Sequence, residues 1–245
     1  MYTLIDLHCH MLFGVDDGAT DFEVTKKMLE IAYNDGIRAI CLTPHFKIYH
    51  FEDDEEIKRY NDIIIQNFEA IKEYSKEHFP NLELYIGNEI MYHNDICESI
   101  SSKKCRFLNK SKYILVEFRP SASIYDIKNA ISNLTRKGFT PIIAHIERYS
   151  AFASDFSFLN EIKASGALLQ VNANSVTKFK FGKSSRLIHK ALKNHLVDII
   201  ATDAHDEKAI IPCLSKALKK IEKQFGEEYA KKLFHDNPLS IINND

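Results

Sequence analysis

A chain of 245 residues, 45% hydrophobic and 27% charged, is long enough to bury a sizeable core and has the composition of a soluble globular protein. Its formal net charge of -2 excludes a broad basic surface for nucleic acid, though not a small positive pocket. No stretch approaches the ~20 apolar residues of a membrane span, and the start, MYTLIDLHCHMLFG, lacks the apolar core of a secretory signal, so a cytoplasmic protein without membrane insertion is expected.

Short β-rich runs alternate with helical stretches along the chain. TLIDLH at 3–8 opens the series, and a helical pattern follows over 21–35, with Asp21 as its cap and Gly36 just past its end. IRAICLT at 37–43 precedes the long charged stretch 53–78, whose acidic opening FEDDEEIKR reads as a solvated helix start. Then come LELYIG at 82–87, KYILVEF at 112–118, TPIIAH at 140–145, ALLQVN at 167–172 and VDIIATD at 197–203. Such runs between helices imply parallel strands in an α/β fold. Neither a linker nor a fixed-period repeat divides the chain, so one domain over 1–245 is expected. An open doubly wound sheet would bring a Gly-rich phosphate loop after its first strand; here His8-Cys9-His10 follows, and a barrel is favoured.

Histidines and acids cluster at the predicted strand ends. His8 and His10 follow IDL, His45 follows CLTP, Glu89 follows YIGN, Glu117 sits in ILVEF, His145 follows PIIA, and Asp203 and His205 follow IIAT. One such residue alone is more often hydrogen-bonded structure than a ligand. In a parallel barrel, however, all C-terminal strand ends open on one face, where residues scattered in sequence converge. Alternate residues of an extended segment also point the same way, so His8/His10 and Asp203/His205 each aim two side chains at one place. Imidazole with carboxylate suits zinc, manganese or iron. Asp16 and Asp17, in FGVDDGA, fit a turn, yet their nearness to His8 and His10 makes one of them a ligand candidate.

Five scattered cysteines without a C-x-x-C pair fit reduced, buried thiols better than disulfides or a thiolate zinc site. None has an arginine six positions on, so the Cys-x5-Arg pattern of cysteine-dependent tyrosine phosphatases is missing. Phe46 and Tyr49, beside His45, are candidates for the rim of a pocket or for plain packing. His50, His78, His93, His189, His195 and His235 have no partner motif and read as surface or helix-terminal groups.

Taken together, IDLHCH, GVDDGA, TPH, GNEI, AHIERY with QVNANS, ATDAH and the closing LFHDNPLSI resemble the bacterial protein-tyrosine phosphatases of the polymerase and histidinol phosphatase (PHP) superfamily, which accompany capsule and exopolysaccharide synthesis. The resemblance spans nearly the whole chain. It implies a distorted (β/α)7 TIM-like barrel and three divalent metal ions, with manganese favoured and iron or zinc as alternatives. The implied ligands are His8, His10, Asp17, His45, Glu89, Glu117, His145, Asp203 and His205, with Arg148 of HIERY on the substrate phosphate. A second phosphate-binding arginine, present in some members after the D-x-H motif, has no match in DAHDEKAIIP, leaving Lys208 or Arg119 as substitutes.

On that reading, three divalent ions against four ligand carboxylates leave a formal surplus of about +2, matched to a phosphomonoester dianion. The implied chemistry is hydrolysis of phosphotyrosine by a metal-activated water, without a phosphoenzyme. The implied partner is a phosphotyrosyl protein, the tyrosine-rich tail of a bacterial tyrosine kinase. Histidinol-phosphate phosphatase, or another small phosphomonoesterase, is the enzymatic alternative; a non-catalytic metal-binding regulator is the alternative of another class.

Overall fold

The computed structural model describes residues 2–178 and 182–244. Strands β1 (Leu4–Cys9), β2 (Ile37–Leu42), β3 (His45–Phe46), β4 (Glu83–Ile86), β5 (Glu89–Met91), β6 (Tyr113–Glu117), β7 (Thr140–Ile143), β8 (Leu168–Asn172) and β9 (Ile199–Ala201) pair in parallel throughout. They form a three-stranded sheet in the order β1-β2-β4 and a six-stranded sheet in the order β3-β5-β6-β7-β8-β9.

Two of the predicted runs, 37–43 and 82–87, stop at a break beyond which the strand continues. Pro44, with no N–H to give, interrupts β2/β3, and Gly87-Asn88 interrupts β4/β5. Pairing resumes beyond the breaks, with Gly87 N donating to Leu42 O (2.9 Å) and Glu89 N to Pro44 O (3.2 Å). Gly87 is required there, because a Cβ would lie 2.7 Å from Leu108 Cδ2 and 3.1 Å from Phe107 O. Counting the broken pairs once gives the seven strands expected from the sequence.

The curled sheet closes only at its C-terminal rim. Cys9 and Ala204 make an isolated parallel bridge, His10 N donates to Ala204 O (2.8 Å), and Asp203 N donates to His8 O (2.8 Å). Buried Asp6 adds a second tie by accepting from Thr202 N (3.0 Å) and Thr202 Oγ1 (2.5 Å). The result is a distorted (β/α)7 barrel.

Between and after the strands lie helices α1 (Phe22–Asn34), α2 (Asp54–His78), α3 (Ile96–Ser101), α4 (Ile124–Arg136), α5 (Ser150–Ser154), α6 (Ser157–Ala164), α7 (Ala173–Thr177), α8 (Lys183–Lys193), α9 (Ser215–Phe225), α10 (Glu227–Lys231) and α11 (Asn237–Asn243), with shorter helical turns that include Ile146–Arg148. Local chemistry starts three of them, α1 and α2 where the sequence reading put them. Asp21 accepts from Val24 N, Asp53 from Glu56 N, and Ser123 with Asp126 forms a capping box. In α4, Ile127, Ala130, Ile131 and Leu134 recur at the helical period and are buried, each large side chain stabilising the fold by about 1.5–3 kcal/mol.

Two apolar layers result. Ile5, Leu7, Cys41, Leu115, Ile142 and Ile199 pack inside the barrel together with Ile241 and Ile242 of α11, which plug its lower end. Leu42, Val116, Ile143, Val171 and Ile200 face outward into the larger core shared with the helices. With the lower end plugged and the outer strand faces covered by helices, the upper rim is left for polar side chains.

Candidate metal centre

At the rim, local irregularities turn each polar side chain inward. The register of β1 against β2 shifts between Asp6 and Cys9, after which the alternation is reversed: Ile5 and Leu7 belong to the interior layer, Cys9 to the outer one. His8 and His10 therefore enter the barrel mouth while Cys9 leaves it. His45 opens β3 directly opposite Glu89, which opens β5. Glu117 ends β6 in phase with the interior residues Tyr113 and Leu115. His145 (φ 32°) and Asp203 (φ 52°) are left-handed non-glycine residues just past β7 and β9, a conformation that costs roughly 1–3 kcal/mol and is typical of functional positions.

The side chains meet closely. His8 Nε2 lies 3.3 Å from Glu89 Oε2 and 3.2 Å from Asp203 Oδ1, and His10 Nε2 lies 3.3 Å from both of those oxygens. His45 Nδ1 is 3.0 Å from Glu89 Oε2 and 3.1 Å from Glu117 Oε1; His145 Nε2 is 2.8 Å from Glu89 Oε1. His205 Nε2 and His45 Nε2 approach Asp17 Oδ1 at 3.6 and 3.4 Å. Three overlapping groups have ligand atoms mutually within 4.8 Å: His10, Asp17, His45 and His205; His8, His10, Glu89 and Asp203; His45, Glu89 and Glu117. His145 stands beside the last group. A neutral imidazole has one lone pair, so His45, which turns a nitrogen toward two groups, serves one of them as ligand.

These residues fit a divalent-metal site on their own chemistry. Buried His45 Nδ1, Glu117 Oε1 and Asp203 Oδ1 make no hydrogen bond among the described residues, although each lies 3.0–3.3 Å from another candidate ligand. Buried polar atoms that converge without bonding one another are aimed at a common cation. The electrostatics agree. Burial would lower His10 and His45, but facing carboxylates outweigh it, raising His10 well above the usual imidazole range and His45 to about 9. Burial likewise opposes the charge on Glu89, which His8 and His10 nonetheless hold well below the carboxylate range.

Outer partners leave the right nitrogen free on each ring. His10 Nδ1 donates to Asp16 Oδ2 (2.8 Å), His8 Nδ1 to Gln170 Oε1 (3.2 Å), and His205 Nδ1 to Asp203 O (2.8 Å), so in the neutral form of each ring, the form that binds a metal, the lone pair falls on the inward Nε2. His145 Nδ1 meets the Tyr149 hydroxyl at 3.3 Å. Gln170 Oε1 also accepts from His145 N (2.7 Å), while Asn172 Nδ2 donates to Asp203 Oδ2 (2.7 Å). Gln170, Asn172 and Tyr149 have no assigned part in the sequence reading; the motifs QVNANS and HIERY held the signal. Of the two neighbouring acids, Asp16 orients His10 and also accepts from His45 N (3.0 Å), whereas Asp17 stands forward, 69% exposed, beside His45 and His205.

Arg148 donates to Asp203 Oδ2, and with 44% of its side chain exposed it has N–H groups left over at the mouth. The other two proposed cations stand apart. Lys208 is 83% exposed and pairs with Glu207 at 3.4 Å, and Arg119 lines a separate groove with Tyr49, Met91 and His93. Phe46 is fully buried and so packs rather than lining a rim. His93 is half-buried, with a buried Nε2 that lacks a hydrogen bond among the described residues; it is not the surface group expected. The Cys9 thiol is fully buried, and that burial pushes it well above its ordinary range, so it stays protonated.

A parallel seven-stranded barrel that gathers imidazoles and carboxylates at its C-terminal rim, with a guanidinium beside them, defines a PHP-type protein with a metal-competent hydrolase site. The chain belongs to the capsular polysaccharide synthesis CpsB/CapC family, whose model matches residues 4–243. It is 35% identical over 246 residues to the tyrosine-protein phosphatase CpsB of Streptococcus agalactiae serotype V, covering 98% of this chain and 99% of that one. It is also similar to a structure from work on YwqE of Bacillus subtilis and CpsB of Streptococcus pneumoniae, described as unique metal-dependent tyrosine phosphatases: TM-score 0.87, 26% identity, 99% and 95% coverage. A histidinol phosphate phosphatase from Lactococcus lactis shares the fold alone, at TM-score 0.58 and 18% identity, with 90% of this chain and 93% of that one covered.

Proposed function

We propose that residues 1–245 act as one metal-dependent phosphatase domain that hydrolyses phosphotyrosine in a protein of the capsular or exopolysaccharide synthesis machinery. The observation that carries this reading is the convergence on one rim, beside Arg148, of His8, His10, Asp17, His45, Glu89, Glu117, Asp203 and His205 in three overlapping groups, with His145 on Glu89 next to them. Family membership and full-length similarity to named tyrosine phosphatases support the choice of reaction. The overlapping groups favour three ions, and the mixed imidazole and carboxylate donor set favours a transition ion, manganese with iron or zinc as alternatives, over magnesium.

The protein's own residues do the positioning. Gln170, Asp16 and Asn172 hold His8, His10 and Asp203 so that their free lone pairs point inward. When bound, the divalent ions supply Lewis-acid stabilisation of phosphoryl oxygens and a water ionised near neutral pH. Arg148, anchored on one side by Asp203, offers its remaining planar donors to the phosphate as charge builds on its oxygens. Arg119 and Lys208 begin from a neighbouring groove and from solvent, so either would contact the phosphate only after moving. Neutral Cys9, facing the outer core, takes no part.

A phosphotyrosyl tail of a bacterial tyrosine kinase fits as partner, because an extended segment delivers a long aryl phosphate to a barrel mouth without docking of a folded domain. Among the described residues, no helix is long and apolar enough to cross a membrane. Cytoplasmic action on such a tail remains our reading. The test is kcat/KM for a phosphotyrosyl peptide, a phosphoseryl peptide and histidinol phosphate on the manganese-loaded protein. The phosphotyrosyl peptide is expected to lead clearly, since a phenolic oxygen of pKa near ~10 leaves far more readily than an alkyl one. Tenfold preference for histidinol phosphate would overturn the tyrosine assignment.

A further inference from the structure

We infer that the cavity of about 360 Å³ beside the first ligand group receives the tyrosyl ring of the substrate, and that Lys47 on its wall is the second cation at the phosphoryl group. The inference deepens the phosphatase reading and rests on it. Asp17 and His45, members of that ligand group, also line the cavity, so it opens directly on the metal centre. Its remaining walls are Val15, Asp16, Lys47, His50, Phe51 and Tyr60.

Three features match an aryl phosphate. The first is an aromatic wall with limited freedom: Phe51 packs on fully buried Phe46 (ring centroids 5.6 Å apart) and on Tyr60 (5.1 Å), and the Tyr60 hydroxyl is held by donation to the His45 carbonyl. Such a surface takes a phenyl ring by offset or edge contact. The second is size, since a cavity of this volume lies within the range of small-molecule subsites. The third is charge. Lys47 is half-buried and makes no ion pair or hydrogen bond from its ammonium among the described residues, whereas neighbouring Asp16 is already bonded to His10, Gly18 N and His45 N. A lysine ammonium is a compact charge suited to a phosphate oxygen. Lys47 lines the cavity on the side of His45, while Arg148 stands on the side of Asp203. This chain has no arginine in the segment DAHDEKAIIP, and Lys208 there is turned to solvent, so Lys47 supplies the charge from another loop.

Calorimetric titration of the manganese-loaded protein with phenylphosphonate and methylphosphonate, neither of which turns over, tests both halves. Wild type is expected to bind phenylphosphonate at least tenfold more tightly than methylphosphonate. Val15→Trp, which fills the cavity, is expected to erase that preference while keeping methylphosphonate binding. Lys47→Met is expected to weaken both ligands by tenfold or more with metal content unchanged, and Lys47→Arg to restore most of the loss. Equal binding of the two phosphonates by wild type would overturn the ring site. Binding within twofold of wild type in Lys47→Met, or loss of metal from that variant, would overturn the role of Lys47. Because binding is read without turnover, failure of the phosphatase reading shows separately, as wild-type protein that binds phosphonates but releases no phosphate from any ester.

Discussion

Arg148 occupies a divided position, with one edge of its guanidinium on Asp203 and the rest open to the mouth. That division separates phosphate contact from metal retention, because Asn172 Nδ2 still donates to the same Asp203 oxygen when the arginine is removed. Arg148→Ala is therefore expected to lower kcat by about a hundredfold, the scale of one lost donor to a developing anion, with metal content unchanged by elemental analysis. Gln170 has the opposite character. It touches no substrate position, yet its one oxygen serves both His8 Nδ1 and His145 N. Gln170→Leu is expected to weaken metal affinity by roughly 10–100-fold, measured by competition with a graded chelator, while saturating manganese recovers most of the activity. Recovery failing at saturation would mean that Gln170 does more than orient ligands. The candidate ligands were legible from sequence because H-x-H and D-x-H after apolar runs bring a definite chemistry to definite strand ends. Gln170 and Asn172 were not, since an amide's part depends on which strand lies beside it, here β7 and β9.

At the scale of elements, the site depends on departures from regular strands: a register shift in β1, breaks at Pro44 and Gly87, and left-handed residues after β7 and β9. Periodicity located the runs and the starts of α1 and α2, since caps and apolar patterns are local. It did not reveal the breaks, because Pro44 and Gly87 look like strand ends until the ladder beyond them is seen. The loop between β1 and α1 shows how tightly such a departure is built. A Cβ at Gly18 would lie 2.1 Å from His10 O, and the neighbouring Ala19 N donates to that same carbonyl (3.0 Å). Gly18→Ala must push the Asp16-Asp17 segment off His10, at a cost of about 1–3 kcal/mol. A lower Tm and weaker metal binding together are the expected outcome; an unchanged Tm would show that the loop has slack.

For the whole molecule, the barrel gives one polar rim and closes the alternative outlets: α11 plugs the lower end, and the outer strand faces are covered by helices. Alternation of strand and helix made that architecture legible, and the resemblance of spaced motifs tied it to a family, but the sequence alone showed neither the partial closure of the sheet nor where the cations stand. Lys47 stands near His45 in the sequence as well as at the cavity, but a lone lysine carries no spacing signal that would mark it.

The central claim is that the rim works through bound divalent metal. Its most direct measurement is phosphate release from a phosphotyrosyl peptide by protein stripped with a strong chelator, verified metal-free by elemental analysis, and then reloaded. Activity is expected to vanish on stripping and to return with manganese to a greater extent than with magnesium. Full turnover by the verified metal-free protein would contradict it.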